Sequence, residues 1–447
     1  MQNLSPLDRA RRKGYWRLLP ILFVCYLIAY VDRTNIAIAK LTMTKDLPGF
    51  DSAVIGQGMG FFFWGYFLLE IPCAVLVEKW SARRLICRIM ITWGIVAALT
   101  AAAKTPRQFY VARFCLGLAE AGFFPGGVVY LTHWFPGRDR TRALSWFLIA
   151  VPVAQIINPR ISNALLKIGS DESVHGVIIH HAKALGLAGW QWVFIFWGLP
   201  AIFLGLLVYF ALPDHPREAK WLSAEERLAL ERELENEKSR RGVARRMALS
   251  EAFGHPKVLF LTAAYFFSTT ASYGVDLWLP SILEKWYSLK IEEITWLVIL
   301  PPCLALASQL FVGWNADRIR ERRFHAVGPI LIAMFALGMT PLARGRLAVT
   351  MICFMLVSAG VKAYLPAFWS LPSLFLTEAA AAGSIGFINS IGNLGGYFGP
   401  ALLGTVEKHT GSFDGGIYYL CFSMSVCAVI ITLLGVGRRQ SATTGNH

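Results

Sequence analysis

The chain has 447 residues, of which 55% are hydrophobic and only 16% charged, against roughly one-quarter charged in soluble domains. Its net charge of +15 would suit a nucleic-acid binder. The basic residues, however, fall in short segments between long apolar runs, which sets aside nucleic acid and indicates a polytopic membrane protein.

Residues 1–13 are polar and basic, with no small-residue cleavage site after them, so they read as a cytoplasmic tail and not a signal peptide. Twelve apolar stretches follow, at 16–39, 53–77, 85–103, 108–131, 142–167, 191–212, 256–284, 293–314, 326–343, 347–371, 379–404 and 415–437. Most reach the ~18 residues that suggest a spanning helix. Arginine clusters occupy the tail, the even-numbered connections and the C-terminus: Arg9, Arg11 and Arg12; Arg83 and Arg84; Arg138, Arg140 and Arg142; Arg318 to Arg323; Arg438 and Arg439. The positive-inside rule then places both termini in the cytoplasm, in a cell inner membrane.

A long polar segment divides the spans six and six, giving an N-terminal half 1–212, a cytoplasmic linker 213–255 and a C-terminal half 256–447. Ser223 and Glu226 have the spacing of a capping box. Leu228, Leu230 and Leu234 form only a partial stripe, so the linker is expected to hold a short surface helix in a solvated connector. The connections after spans two and eight both set an acid beside basic residues: Glu78 with Arg83 and Arg84, then Asp317 with Arg318. These five are expected to latch cytoplasmic helix ends. The expected fold is all-α, twelve transmembrane helices in two pseudo-symmetric halves around a midplane site.

Charges inside the apolar runs carry the chemistry, because an ion at bilayer depth is costly and normally faces a partner or a wet cavity. Asp32 and Arg33 lie in the first run, and Arg113 and Glu120 in the fourth. The seven-residue spacing of the second pair puts both on one helix face, about 10 Å apart along the axis. Four such ions in one half point to function; a mutually satisfied structural network is the other reading. Arg160 in span five, Asp276 in span seven and Lys362 in span ten are further intramembrane ions. Arg160 either meets a second carboxylate or snorkels to the outer interface; Lys362 either pairs with Asp276 or meets substrate. Asn389 and Asn393, four apart in glycine-rich span eleven, can bond a carboxylate, a hydroxyl or a neighbouring backbone. Tyr30, Tyr66, Phe368 and Trp369 either wall a cavity or pack. The outward connection 168–190 carries His175, His180 and His181, read as solvated. The eight cysteines show no CxxC or metal spacing and read as small buried hydrophobes.

The segments Tyr30-Val-Asp-Arg-Thr-Asn35, Gly65 to Pro72, Arg113 to Pro125, Trp278-Leu-Pro280, Phe368 to Pro372 and Ile388 to Pro400 resemble the anion:cation symporter branch of the major facilitator superfamily. The likeness is greatest to bacterial phthalate and tartrate permeases. It implies that Arg33 holds the substrate carboxylate and that Asp32 and Glu120 accept protons, with Arg113 beside them. Substrate contacts are expected from Arg33, Tyr30, Tyr66, Arg160, Lys362, Trp369, Asn389 and Asn393. The expected function is proton-coupled import of a small organic anion, a dicarboxylate such as phthalate or tartrate. A sugar-acid symporter and an exchanger without net proton coupling stay open. No cofactor is expected beyond the proton as coupling ion; the partners are the organic anion and the lipid bilayer, and the working unit is a monomer. No nucleophile–base set or cofactor motif suggests an enzyme, and no sizeable soluble domain suggests a sensor.

Overall fold

The computed structural model describes residues 4–169, 171–174, 177–180, 182–240, 255–319, 321–372 and 378–435. Among these residues, nine helices are long and apolar enough to cross a membrane. The other three expected spans are helical but fall short for identifiable reasons. Ala82–Thr100 carries Arg83, Arg84 and Arg88; Arg323–Met339 has only 17 residues; and the glycine-rich stretch is split into Glu378–Gly392 and Gly395–Thr410. The solvation pattern is that of a protein in lipid. Phe203, Phe210, Phe311, Phe335 and Leu433 are exposed, whereas Asp32, Glu70, Arg113 and Glu120 are buried.

The chain forms two compact units: Met1–Pro48 with Trp64–Ala244, and Gly49–Phe63 with Arg245–His447. In the first unit, Ser5 caps the helix Pro6–Thr34, which stops at Asn35 and resumes as Ile36–Asp46. The fourth span also has two pieces, Pro106–Glu120 and Phe123–Trp134. Gly122 makes the joint at φ +89°, and a Cβ there would lie 2.3 Å from the Cβ of Cys73. Only glycine satisfies both the left-handed backbone and the close approach. The fifth span is interrupted at Ile149, between Gly137–Leu148 and Ala150–Leu166. Ala82–Thr100 packs tightly on Gly189–Ala211, with Gly94 and Gly198 each facing the other's carbonyl.

The linker differs from the solvated connector expected of it. Both bonds of the capping box form: the Glu226 N–H donates to Ser223 Oγ at 3.2 Å, and the Ser223 N–H to Glu226 Oε2 at 3.0 Å. The helix Ala224–Arg240 then packs on the N-terminal helix within the first unit. Glu226 accepts from Lys13 Nζ at 2.7 Å and Arg9 Nε at 3.4 Å, Arg140 bonds Glu237 at 3.3 Å, and Leu230 is buried. Trp134 stacks on Trp221 at 5.3 Å, and Arg11 holds Asp139. The clamp forms because the basic tail is helical and so presents Arg9 and Lys13 one turn apart. Linker residues 241–254 lie outside the described set.

The connection 168–190 also holds more structure than expected, an antiparallel pair of strands, Asp171–Val174 and Val177–His180. The β-branched run Val177-Ile-Ile favours the extended form. His175 and His181, and the His180 side chain, lie outside the described residues. Cys303 is exposed and Cys87, Cys115 and Cys421 are half-buried, so only four of the eight cysteines are the buried hydrophobes expected. Where a cysteine faces lipid, its apolar surroundings are the bilayer and not the protein core.

In the second unit, Pro256–Tyr287 packs against Gly395–Thr410 and Asp414–Leu433. Thr269 Oγ1 donates to the Gly392 carbonyl at 2.5 Å and Trp278 Nε1 to that of Pro400 at 3.0 Å. Residues 49–63 join this unit through Tyr397 Oη to Gln57 at 2.7 Å, Lys408 to Asp51 at 2.9 Å and Phe63 against Tyr273. Its tenth span divides into Leu347–Ala363 and Leu365–Ser370.

Candidate functional site

Two helix breaks build the site in the first unit. Asp32 and Arg33 occupy the last turn before the break at Asn35. Thr34 Oγ1 turns back to the Tyr30 carbonyl at 2.9 Å, and Asn35 Nδ2 reaches Asp32 Oδ1 at 3.1 Å. Such local side-chain bonds compete with a continuing helix. Trp93 Nε1 donates to the other Asp32 oxygen at 2.5 Å. Both oxygens of a carboxylate that is 1% exposed therefore have donors.

Glu120 is the last residue of Pro106–Glu120, where unsatisfied carbonyls already give the helix end negative character. A carboxylate there needs a cation, and Arg33 supplies it: Arg33 Nη2 forms a salt bridge with Glu120 Oε1. Glu120 Oε2 has no hydrogen-bond partner among the described residues. Arg113, buried seven residues earlier, lies within electrostatic range of Glu120 and Asp32. The guanidinium of Arg33 sits 5.0 Å from the Tyr66 ring centroid and 6.0 Å from that of Tyr30, both cation–π distances. The Arg33 side chain is 11% exposed and that of Glu120 only 2%, so the arginine is the accessible member of the pair.

Asp32, Arg33, Arg113, Glu120, Tyr30 and Tyr66 thus share one buried cluster. Arg160 is half-buried in Ala150–Leu166, just after Pro159. Nearby in that helix, Ser162 bonds Asn158 at 2.7 Å and accepts from Trp197 at 3.3 Å.

The second unit holds the remaining predicted contacts. Lys362 Nζ donates to Ser272 Oγ at 2.9 Å and meets Asp276 Oδ2 at 3.3 Å. Trp369 is half-buried against Tyr265, 4.8 Å between ring centroids, while Phe368 is fully buried and contacts both rings. Asn389 lies in the last turn of Glu378–Gly392, and Asn393 one residue beyond it, its N–H bonded to the Asn389 carbonyl at 2.9 Å.

At the expected cytoplasmic latches, Arg83 finds an acid outside its own loop. Its N–H donates to Asp214 Oδ1 at 2.8 Å, its Nε is 3.7 Å from Asp214 Oδ2, and the Ser81 hydroxyl bonds the same carboxylate. Arg84 is exposed, and Arg318 lies over Trp314 at 5.2 Å. The side chains of Glu78 and Asp317 lie outside the described set. Sequence reasoning missed Asp214, Trp93, Asn35 and two buried ions, Glu70 and Lys40. The last two are charges in apolar runs, so the rule that singled out Asp32 reaches them as well.

The Major Facilitator Superfamily model matches residues 22–400. A protein of Agrobacterium vitis named "Putative tartrate transporter" is 39% identical over 440 residues, 98% of this chain and 93% of that one. The metabolite transport protein NicT of Pseudomonas putida, whose name also carries the word "putative", is 35% identical over 435 residues, 96% of each chain. Among solved structures, the xylose transporter XylE of E. coli in a partially occluded inward-open conformation superposes with a TM-score of 0.71 at 13% identity, over 96% of this chain and all of that one.

Proposed function

This chain belongs to the Major Facilitator Superfamily, a family of membrane transporters and not of enzymes, and on that premise we propose that it imports a small organic anion together with protons. The favoured cargo is a dicarboxylate of the tartrate or phthalate type. The tartrate name carried by a relative of 39% identity supports that class.

The observation that carries the reading is the buried Arg33–Glu120 pair, with the arginine as its accessible member. A guanidinium takes a carboxylate as a bidentate fork and stays charged at any relevant pH. A substrate carboxylate at Arg33 competes with Glu120 for one cation. Glu120, left uncompensated in a dry site at a helix C-terminus, is then costly to keep as an anion. Substrate entry and neutralisation of Glu120 by a proton are coupled in this way. Asp32, held by Trp93 and Asn35, is the second carrier, and Arg113 keeps the empty cluster balanced at two positive and two negative charges.

Two carriers match the electrical demand. Moving an anion inward against an inside-negative potential costs about 2.3 kcal/mol per charge per 100 mV, so a dianion needs two protons for neutral transport. Tyr30 and Tyr66 wall the arginine, and Arg160, Lys362, Trp369, Asn389 and Asn393 are further proposed substrate contacts. Glu78, Arg83, Arg84, Asp317 and Arg318 are proposed gate residues, with Asp214 as the acid that holds Arg83. The proposed setting is the cell inner membrane with both termini cytoplasmic, the protein working as a monomer.

The test is uptake of labelled tartrate and phthalate into proteoliposomes with an acid exterior and the potential clamped. Accumulation that vanishes when the pH gradient collapses supports symport. Equilibration without accumulation would replace it with uncoupled exchange.

A further inference from the structure

The two units each join their first and fourth spans with an ion pair, but with the signs exchanged. In the first unit the cation Arg33 is on the first span and the anion Glu120 on the fourth. In the second unit the anion Asp276 is on the seventh span, the first of that half, and the cation Lys362 on the tenth, its fourth. The local backbone differs: the chain leaves the helix after Glu120, at Ala121 and Gly122, whereas Tyr364, two residues after Lys362, stays right-handed helical and leads directly into Leu365–Ser370.

The exchange of signs has an energetic consequence. A helix C-terminus disfavours a carboxylate and favours an ammonium. Glu120, at such an end, therefore depends on Arg33, whereas Lys362 already bonds Ser272 Oγ at 2.9 Å before Asp276 is counted. The Asp276 contact is the longer of the two, 3.3 Å, and both side chains keep some exposure, 16% for Lys362 and 11% for Asp276. An ammonium has three donors on a flexible stem and can exchange one acceptor for another without changing its backbone.

We propose that Lys362 is a carboxylate-binding cation of the second unit and that Asp276 is its built-in competitor, which a ligand carboxylate must displace. This rests on the organic-anion reading above and deepens it: the ligand class is an acid with a carboxylate that Lys362 takes in place of Asp276. Asp276 sets the threshold, because a weak acceptor such as a hydroxyl or an ester does not displace a carboxylate from an ammonium.

The experiment is tartrate and monomethyl tartrate binding to the purified full-length protein by calorimetry. Asp276→Asn is expected to tighten tartrate binding at least fivefold and to narrow its preference over the monoester. Lys362→Gln is expected to weaken tartrate at least tenfold and the monoester much less, with Lys362→Arg retaining most of the affinity. In the double variant the gain from Asp276→Asn should disappear. Tartrate affinity that Asp276→Asn leaves unchanged or weakens overturns the proposal. Should that variant fail to fold, equal losses for both ligands in Lys362→Gln overturn it. Arg33→Gln separates the two readings: binding lost there but unmoved by Asp276 and Lys362 substitutions sinks this inference alone. A wild-type protein that binds neither ligand sinks both.

Discussion

Arg33 and Glu120 are 87 residues apart in sequence and meet in a buried salt bridge where the first and fourth spans both break. The joint at Gly122 places Glu120 at a helix C-terminus, where the backbone dipole disfavours a carboxylate. A continuous span would have buried the same carboxylate mid-helix, without that bias. The Arg33 guanidinium offsets it.

Arg33→Lys keeps the charge but loses the planar fork and its stacking on Tyr66. Substrate affinity should fall at least about tenfold, with only a small loss of stability. Arg33→Gln should add a stability loss of roughly 3–5 kcal/mol, because Glu120 is left buried and unpaired. Parallel binding and melting measurements separate these outcomes; equal affinity in Arg33→Lys and wild type would remove Arg33 from the substrate.

Trp93→Phe preserves most of the packing and deletes the indole N–H that bonds Asp32 at 2.5 Å. A hydrogen bond to a charged group contributes about 1.5–3 kcal/mol. The variant should melt lower by an amount in that range and transport more slowly, while Trp93→His, which retains a ring N–H, should recover part of both. A variant indistinguishable from wild type would show that Asp32 does not depend on this donor.

Gly122→Ala introduces a Cβ at φ +89° and 2.3 Å from Cys73 Cβ. Positive φ in a non-glycine residue alone costs on the order of 1–3 kcal/mol. Stability should fall by at least ~2 kcal/mol, and transport should fall further because the joint positions Glu120. Normal melting and uptake would mean that the joint relaxes freely.

Docking of the linker helix should weaken in acid. Burial pushes the Glu226 carboxyl up, but Lys13, the Ser223 amide and Arg9 together hold it below its ordinary 4.5. A carboxyl depressed on folding contributes stability that is complete above the unfolded value and lost as pH falls through the folded one. Wild type should therefore melt above Glu226→Gln at pH 7, and the gap should close as the pH falls through the depressed folded-state value of Glu226. A constant gap across that range would count against the clamp.

Much of the architecture was legible because lipid imposes length and composition on a spanning helix, and ions in such helices stand out against apolar neighbours. Asp32, Arg33, Arg113 and Glu120 were found this way, and the capping box at Ser223 and Glu226 was read from spacing. The breaks at Asn35 and Gly122 were not, because hydropathy is indifferent to a backbone turn inside an apolar run. Asp214 was missed as the partner of Arg83 because it lies 131 residues along the chain, and local spacing carries no information about that pairing. Glu226 was read as a cap and turned out also to be a clamp, since nothing in the linker itself indicates that the tail is helical.

The central claim is that substrate and proton compete through Arg33, with Glu120 as the proton carrier. Its most direct test is tartrate transport by Glu120→Gln in proteoliposomes, run once as counterflow and once as uptake driven by a pH gradient. A neutral amide cannot titrate, so the variant should exchange tartrate across the membrane but fail to accumulate it. Full accumulation by Glu120→Gln at the wild-type level would contradict the account.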